Sequence, residues 1–259
     1  MYRINIPAGA QAVIHLLESA GFEAYVVGGC VRDSLLGLTP HDWDICTSAK
    51  PDDMLELCAM HGIKTIETGI KHGTVTVCLP EFEEMYEVTA YRIDGEYSDN
   101  RHPDTVAFTT SIQEDLSRRD FTINAIAYND HAGLVDPFHG EKDLQQHQIS
   151  CVGNPADRFH EDALRMMRAL RFSSVYGFAI EENTAKAIHQ LAPYLKNIAA
   201  ERIQVELCKL LLGKGVLEIL LDYSDVMAVI IPEIVPCIGF NQNNPYHEYT
   251  VYEHMVHAV

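Results

Sequence analysis

Ala24-Tyr-Val-Val-Gly-Gly-Cys-Val-Arg-Asp-Ser-Leu-Leu-Gly37, followed by His41-Asp-Trp-Asp-Ile-Cys-Thr47, decides the fold. The first four residues read as a short buried strand that ends at Gly28-Gly29, gives way to a helical turn to Leu36 and stops at Gly37. Paired glycines at a strand end let backbone N–H groups approach a phosphate, and a helix starting there adds its dipole. The spacing is neither that of a Walker loop nor that of a Rossmann turn. Arg32 is placed to meet a phosphate or, alternatively, to pair structurally with Asp33. Asp42 to Thr47 reads as a second strand, on which residues i and i+2 share a face, so Asp42 and Asp44 converge about 6–7 Å apart along the backbone. Hard divalent ions prefer such carboxylate oxygens, and two metals roughly 3.5–4 Å apart activate an attacking hydroxyl and neutralise a leaving phosphate. In a chain with 37 acidic residues, two solvated aspartates at this spacing also arise by chance.

Outward from this unit, Ala8 to Ser19 is expected to be helical and to run into Gly21. Pro51 to Met60 is a further helix, with Pro in its first turn and Asp52 and Asp53 at the positive end of its dipole. Thr74 to Leu79, Tyr86 to Arg92 and Val106 to Thr109 are β-rich. The polar, turn-forming stretch Ile93 to Asp104 between the last two is expected to be a flexible loop. Ser111-x-x-Glu114 is a capping box leading into Arg118-Arg-Asp-Phe-Thr-Ile-Asn-Ala-Ile-Ala-Tyr128, and Asn129-Asp130 and Ala132-Gly133 mark a turn. From Pro155 the period is helical, over Glu161 to Phe172, Asn183 to Leu195, Ile198 to Leu212 and Val216 to Tyr223. The chain thus changes from mixed α and β to helix near Gly153.

The 259 residues are 47% apolar and 22% charged, which suits a soluble globular chain of one large or two smaller domains and excludes disorder or a collagen-like repeat. The seven cysteines, at 30, 46, 58, 78, 151, 208 and 237, form no C-x-x-C pair; they read as small core residues in a reducing compartment. No apolar run approaches the ~18 residues of a membrane span, so a cytoplasmic setting is the expectation. The net charge of −18 argues weakly against a nucleic-acid partner, whose phosphates are held by Lys and Arg.

Five segments, in order, nevertheless carry a resemblance. Gly28 to Gly37 with His41 to Thr47 resembles the first motif of the class II tRNA nucleotidyltransferase and bacterial poly(A) polymerase family. Arg118-Arg-Asp-Phe-Thr-Ile-Asn-Ala125 is similar to the family's ribose-recognition motif, and Asp136-Pro-Phe-x-Gly140 with Asp143-Leu144 to its hinge motif. Glu161-Asp-x-x-Arg165 is similar to its base-reading motif and Glu201-Arg-Ile-x-x-Glu206-Leu207 to its neck-helix motif. The resemblance implies an α/β (α+β) nucleotidyltransferase head of the polymerase β type, a mixed sheet with flanking helices, followed by an all-α neck and body. The expected boundaries are 1–152 for the head, 153–213 for the neck and 214–259 for the start of a body or HD-like domain, apparently truncated. His247, His254 and His257 resemble the opening of an HD-type phosphohydrolase domain, and the chain stops before any His-Asp doublet.

By the same resemblance, Asp42 and Asp44 are catalytic and hold Mg2+, with Glu87 as third carboxylate; Gly28, Gly29 and Arg32 bind the triphosphate; and Arg119, Asp120 and Asn124 bind the sugar side. Asp162 and Arg165, on one helical face at i and i+3, are expected to meet one base edge. Aspartate only accepts and arginine only donates, a pattern that suits cytosine and adenine, which offer an amino donor beside a ring-nitrogen acceptor. Uracil and guanine would leave like groups opposed. A helix-surface salt bridge is the alternative. Arg168 joins them on the nucleotide side, and Arg158, Arg171, Arg118 and Arg119 concentrate further positive charge near the site, which partly answers the acidic balance. The implied activity is Mg2+-dependent addition of CCA to tRNA 3′ ends from CTP and ATP. The alternatives are a poly(A) polymerase or A-adding enzyme and, from other classes, an HD-domain phosphohydrolase or a non-catalytic RNA-binding relative. The Ile93–Asp104 loop favours A addition, because relatives that add only C lack it.

Overall fold

The strand, glycine turn and helix expected at residue 24 form in the computed structural model, which describes residues 3–79, 81–95, 97, 105–246 and 248–259. By backbone packing the described chain falls into two units. The first holds residues 3–95 and 105–146, the second Tyr97 and His147–Val259. The first unit ends at Gln146.

Its strands are β1 (Ala24–Val27), β2 (Ile45–Thr47), β3 (Lys64–Gly69), β4 (Thr74–Leu79), β5 (Glu84–Ala90), β6 (Arg92–Asp94), β7 (Val106–Phe108), β8 (Ala127–Asn129) and β9 (Gly133–Val135). Its helices are α1 (Ala8–Ser19), α2 (Gly29–Leu35), α3 (Pro51–Met60), α4 (Ile112–Ser117) and α5 (Gly140–Gln145), with a 3-10 turn at Thr122–Asn124. Seven strands make one mixed sheet in the order β3-β4-β5-β2-β1-β8-β9. Every neighbouring pair is antiparallel except β2 and β5, which run parallel. All four residues of β1 are buried, as befits a central strand covered on both faces. By contrast, β4 alternates, burying Val75, Val77 and Leu79 while its threonines face outward, so the sheet keeps an open face there.

Two expectations change. The second strand begins at Ile45, not Asp42: the Asp44 carbonyl still accepts from Val27 N–H at 3.0 Å, but Asp42 and Trp43 precede the ladder. Ile93 and Asp94, expected to open the flexible loop, instead pair with Ala107 and Val106 in the β6–β7 hairpin. Glu96 and residues 98–104 of that loop lie outside the described residues, as does His247. At α4, Ser111 Oγ accepts from Glu114 N–H at 3.3 Å, while the Glu114 carboxylate takes the Thr109 hydroxyl.

The second unit consists of α6 (Pro155–Glu161), α7 (Leu164–Tyr176), α8 (Glu182–Leu191), α9 (Ala200–Leu211), α10 (Val216–Asp222), α11 (Ser224–Ile230) and α12 (Val251–His257), with 3-10 segments at Ala192–Asn197 and Pro232–Cys237. It is helical apart from a two-residue parallel pair, β10 (Gln148–Ile149) with β11 (Ala179–Ile180). The helix expected over Glu161 to Phe172 is broken at Asp162, whose backbone is extended (φ −147°, ψ 105°). Most of the length of α7 is buried, and it packs on α9. Ser174 Oγ donates to the Leu210 carbonyl at 2.7 Å, and Arg171 pairs with the buried Glu206 at 2.6 Å. A Cβ on Gly213 would lie 2.5 Å from the Ser174 backbone, so only glycine lets the chain leave α9 at this distance from α7.

Candidate active site

Strand register brings the carboxylates together. In the parallel pair Ile45 lies opposite Val88, both pointing into the core, so one residue earlier Asp44 stands beside Glu87 on the open face. Glu87 is in turn opposite Thr76 of β4. Asp42, Asp44 and Glu87 line one cavity of about 540 Å³ with His41, Trp43 and Thr76. The Asp44 carboxyl reaches solvent through its mouth, yet the walls shield it enough that burial raises its pKa. Arg119 opposes that rise, and the charges of Glu87 and Asp42 add to it. Among the described residues no three His, Cys, Asp or Glu side chains are gathered tightly enough to coordinate an ion as they stand. The donors themselves fit a hard divalent cation: they are all carboxylates, they share one solvent-reachable wall, and Asp44 carries an unfavourable charge that a cation would relieve.

On the β1 side of Asp44, a network built from the ribose-type motif meets the glycine turn. Gly28 has φ 78° and ψ −123°, a backbone conformation that demands glycine, and a Cβ there would lie 2.9 Å from the movable tip of Arg119. Its N–H donates to the Ile126 carbonyl at 3.0 Å. Gly29 opens α2. Arg32 is only 8% exposed, and its Nη1 donates to Asn124 Oδ1 at 2.6 Å while its Nε donates to Asp33 at 2.9 Å. The structural pairing expected between Arg32 and Asp33 is thus present. Asn124 in turn donates to Asp120 Oδ1 at 3.1 Å, and that same oxygen accepts from Phe121 N–H at 2.8 Å. Asp115, 1% exposed, anchors Arg118 at 2.8 Å and Arg119 at 3.6 Å from beneath. Sequence reasoning missed this aspartate, although its place in the turn before two arginines was a signal.

In the second unit, Asp162 and Arg165 do not share one helix. Asp162 ends α6, Arg165 lies in the first turn of α7, and they touch through the backbone, Arg165 N–H donating to the Asp162 carbonyl at 3.0 Å. The Asp162 carboxylate accepts from Leu164 N–H at 3.0 Å and from Arg202 of α9 at 2.8 Å. Arg165 is held by Glu161 at 2.5 Å. The pair is therefore held in place by neighbours rather than by each other, and Arg202, quoted only as part of the neck-helix motif, is the residue missed. Arg168 and Arg171 both lie over the Phe172 ring, at 5.4 and 4.1 Å from its centre. His254 and His257 sit on α12, where His257 stacks on Tyr249 at 4.1 Å.

Known proteins share this architecture. A family model described as the Poly A polymerase head domain matches residues 24–150, and one described as a probable RNA and SrmB-binding site of polymerase A matches residues 177–238. A CCA-adding enzyme of Limosilactobacillus fermentum is 51% identical over 207 residues, which are 80% of this chain and 50% of that protein. The structure of a Bacillus stearothermophilus CCA-adding enzyme in complex with CTP matches with a TM-score of 0.73 at 43% identity, over 83% of this chain and 51% of that one. A Thermotoga maritima CCA-adding enzyme complexed with tRNA-CCA matches at 0.72 and 27% identity, over 90% and 54%. The chain spans about half the length of the curated relatives it matches. Sheet order, carboxylates beside a glycine turn and these likenesses agree: the chain belongs to the tRNA nucleotidyltransferase and poly(A) polymerase family, with that family's head as its first unit.

Proposed function

We propose that the chain carries the catalytic part of a CCA-adding enzyme, which extends tRNA 3′ ends by two CMP and one AMP from CTP and ATP without a nucleic-acid template. The observation that carries this reading is the 51% identity to a CCA-adding enzyme across both units, joined to a cavity in which Asp42, Asp44 and Glu87 stand beside the Gly28 turn. In the reaction the terminal 3′-oxygen bonds to the α-phosphorus, the α–β bond breaks, and pyrophosphate leaves. A divalent cation, magnesium in this reading, is held by Asp42 and Asp44 and when bound supplies the Lewis acidity that activates the hydroxyl and neutralises the departing charge. Arg32 takes the triphosphate with the Gly28-Gly29 backbone, and Arg119, Asp120 and Asn124 take the sugar side. The Arg32–Asn124 and Asn124–Asp120 bonds fix these groups before substrate arrives. Asp162 accepts the amino group of cytosine or adenine while Arg165 donates to the ring nitrogen, with Arg168 beside them on the nucleotide. In the proposed division of labour, the head ends near residue 152, the neck runs to 213 and the body begins at 214. Seven cysteines in no disulfide, as in a reducing compartment, and the proposed action on tRNA support a cytoplasmic setting.

A tRNA transcript ending just before CCA, supplied with CTP, ATP or both, tests the reading by product length. Three added nucleotides with both, two with CTP alone and none with ATP alone are expected; a long tail with ATP alone would make the chain a poly(A) polymerase. Asp42→Ala and Asp44→Ala are each expected to abolish incorporation, and full activity in either would remove that residue from the site.

A further inference from the structure

Asp44 separates two surroundings of opposite chemistry. In the strand order β5-β2-β1 it has the Gly28 turn with Arg119 on the β1 side and the cavity on the β5 side. Among the described residues no lysine or arginine lines the cavity; besides its carboxylates it is lined by Trp43 and Met85, with His41, Thr76 and Tyr86. A triphosphate, with several negative charges, belongs with the arginines and is repelled by a wall of carboxylates. A nucleoside terminus brings little charge, and what holds it best is a flat apolar face: aromatic stacking accepts every base, and a methionine sulfur packs well against a ring. Met85 is 67% exposed and Trp43 half-buried, and the indole stacks on no other aromatic ring among the described residues. Folding leaves this apolar surface uncovered beside the carboxylates, and a volume of about 540 Å³ gives it room for a nucleoside.

We infer that Trp43, with Met85, is the stacking platform for the 3′-terminal nucleoside of the RNA acceptor, presenting its 3′-hydroxyl to Asp42, Asp44 and Glu87 from the side opposite the triphosphate groups. The inference rests on the nucleotidyl transfer proposed above, since that reaction brings a nucleoside hydroxyl to these carboxylates. Trp43 is the chain's one tryptophan, so its fluorescence reports on this cavity without interference. The 259-residue chain is titrated with the dinucleotide cytidylyl-cytidine and, separately, with CTP, and steady-state kinetics are compared for wild type, Trp43→Ala and Trp43→Phe. Expected are saturable quenching by the dinucleotide but not by CTP, a KM for the RNA acceptor raised roughly tenfold or more in Trp43→Ala with the KM for CTP little changed, and recovery in Trp43→Phe. Quenching by CTP with a raised CTP KM would assign the cavity to the incoming nucleotide and overturn the inference, as would an active Trp43→Ala enzyme with an unaltered acceptor KM. A wild-type chain that adds no nucleotide would sink the proposed activity. The dinucleotide titration then decides the inference alone, absence of quenching overturning it.

Discussion

Burial is the main force on Asp44, followed by the relief from Arg119 and the repulsion from Glu87 and Asp42, and the net effect is a raised pKa. The sign follows directly. A carboxyl whose folded pKa exceeds its unfolded value binds its proton more tightly when folded, so it stabilises the protein at low pH and that contribution is lost as pH rises through the folded value. A divalent cation competes with the same proton. Magnesium is therefore expected to raise the melting temperature by about 3 °C or more at neutral pH and by less on mild acidification, and Asp44→Asn is expected to remove the increment; thermal melts with and without the ion check both. Gly28 makes a separate prediction. Gly28→Ala places a side chain at φ 78° and 2.9 Å from Arg119, at a cost of about 1–3 kcal/mol, whereas a Cβ on Gly29 meets nothing nearer than 3.5 Å. Urea denaturation should show the first variant clearly destabilised and Gly29→Ala within about 1 kcal/mol of wild type.

In the proposed reaction, breaks and joints between elements would carry the specificity. Asp162 sits where α6 gives way to α7, and Arg202 of α9 grips its carboxylate. Arg202→Ala is expected to raise misincorporation of UMP roughly tenfold, as Arg165→Ala does by removing the donor itself, with triphosphate KM moving less than base choice in both. Single-nucleotide incorporation assays separate the two quantities, and unaltered selectivity in Arg202→Ala would leave the Leu164 N–H as the support of Asp162. Deletion of residues 96–104 between β6 and β7 should spare C addition and abolish A addition; equal loss of both would contradict the role given to that segment. The same joints mark the limit of what the sequence discloses. Locally patterned elements, namely α1, β1, α2, α3 and β4, are legible because apolar spacing, glycine and proline lie within a few residues of one another. The break at Asp162 is not, because no Gly or Pro marks it and its cause is an arginine on another helix. β3, Lys64-Thr-Ile-Glu-Thr-Gly69, escapes notice because it is mostly polar and owes its form to pairing with β4. In the site, Gly28, Asp42 and Asp44 stand out as a local motif. Thr76, Trp43 and Asp115 become visible only once strand register and burial are known.

Across the whole chain the charge of −18 would set the terms on which the proposed RNA substrate is met. Of the 19 lysines and arginines, Arg32, Arg118, Arg165, Arg202 and Arg171 are paired with Asp33, Asp115, Glu161, Asp162 and Glu206, which leaves those five less available to neutralise phosphate. A handful of phosphate contacts implies that tRNA affinity falls about tenfold to hundredfold between about 50 and about 200 mM salt, measurable by filter binding. A salt-independent affinity would mean that the acceptor is held by other forces. Among the cysteines, expected to be core residues, Cys208 is exposed and Cys78 and Cys237 are half-buried, whereas at Cys30 burial, and next the charge of Asp44, pushes the thiol up to about 12, so it stays protonated in the core. The single parallel pair in the sheet has a kinetic meaning. β2 and β5 are separated by α3, β3 and β4, and a parallel pairing closes only after that whole excursion has been laid down. Asp44 and Glu87 are neighbours solely through this pairing, so on refolding the two carboxylates come together only when it closes, and regained nucleotide incorporation would time that event.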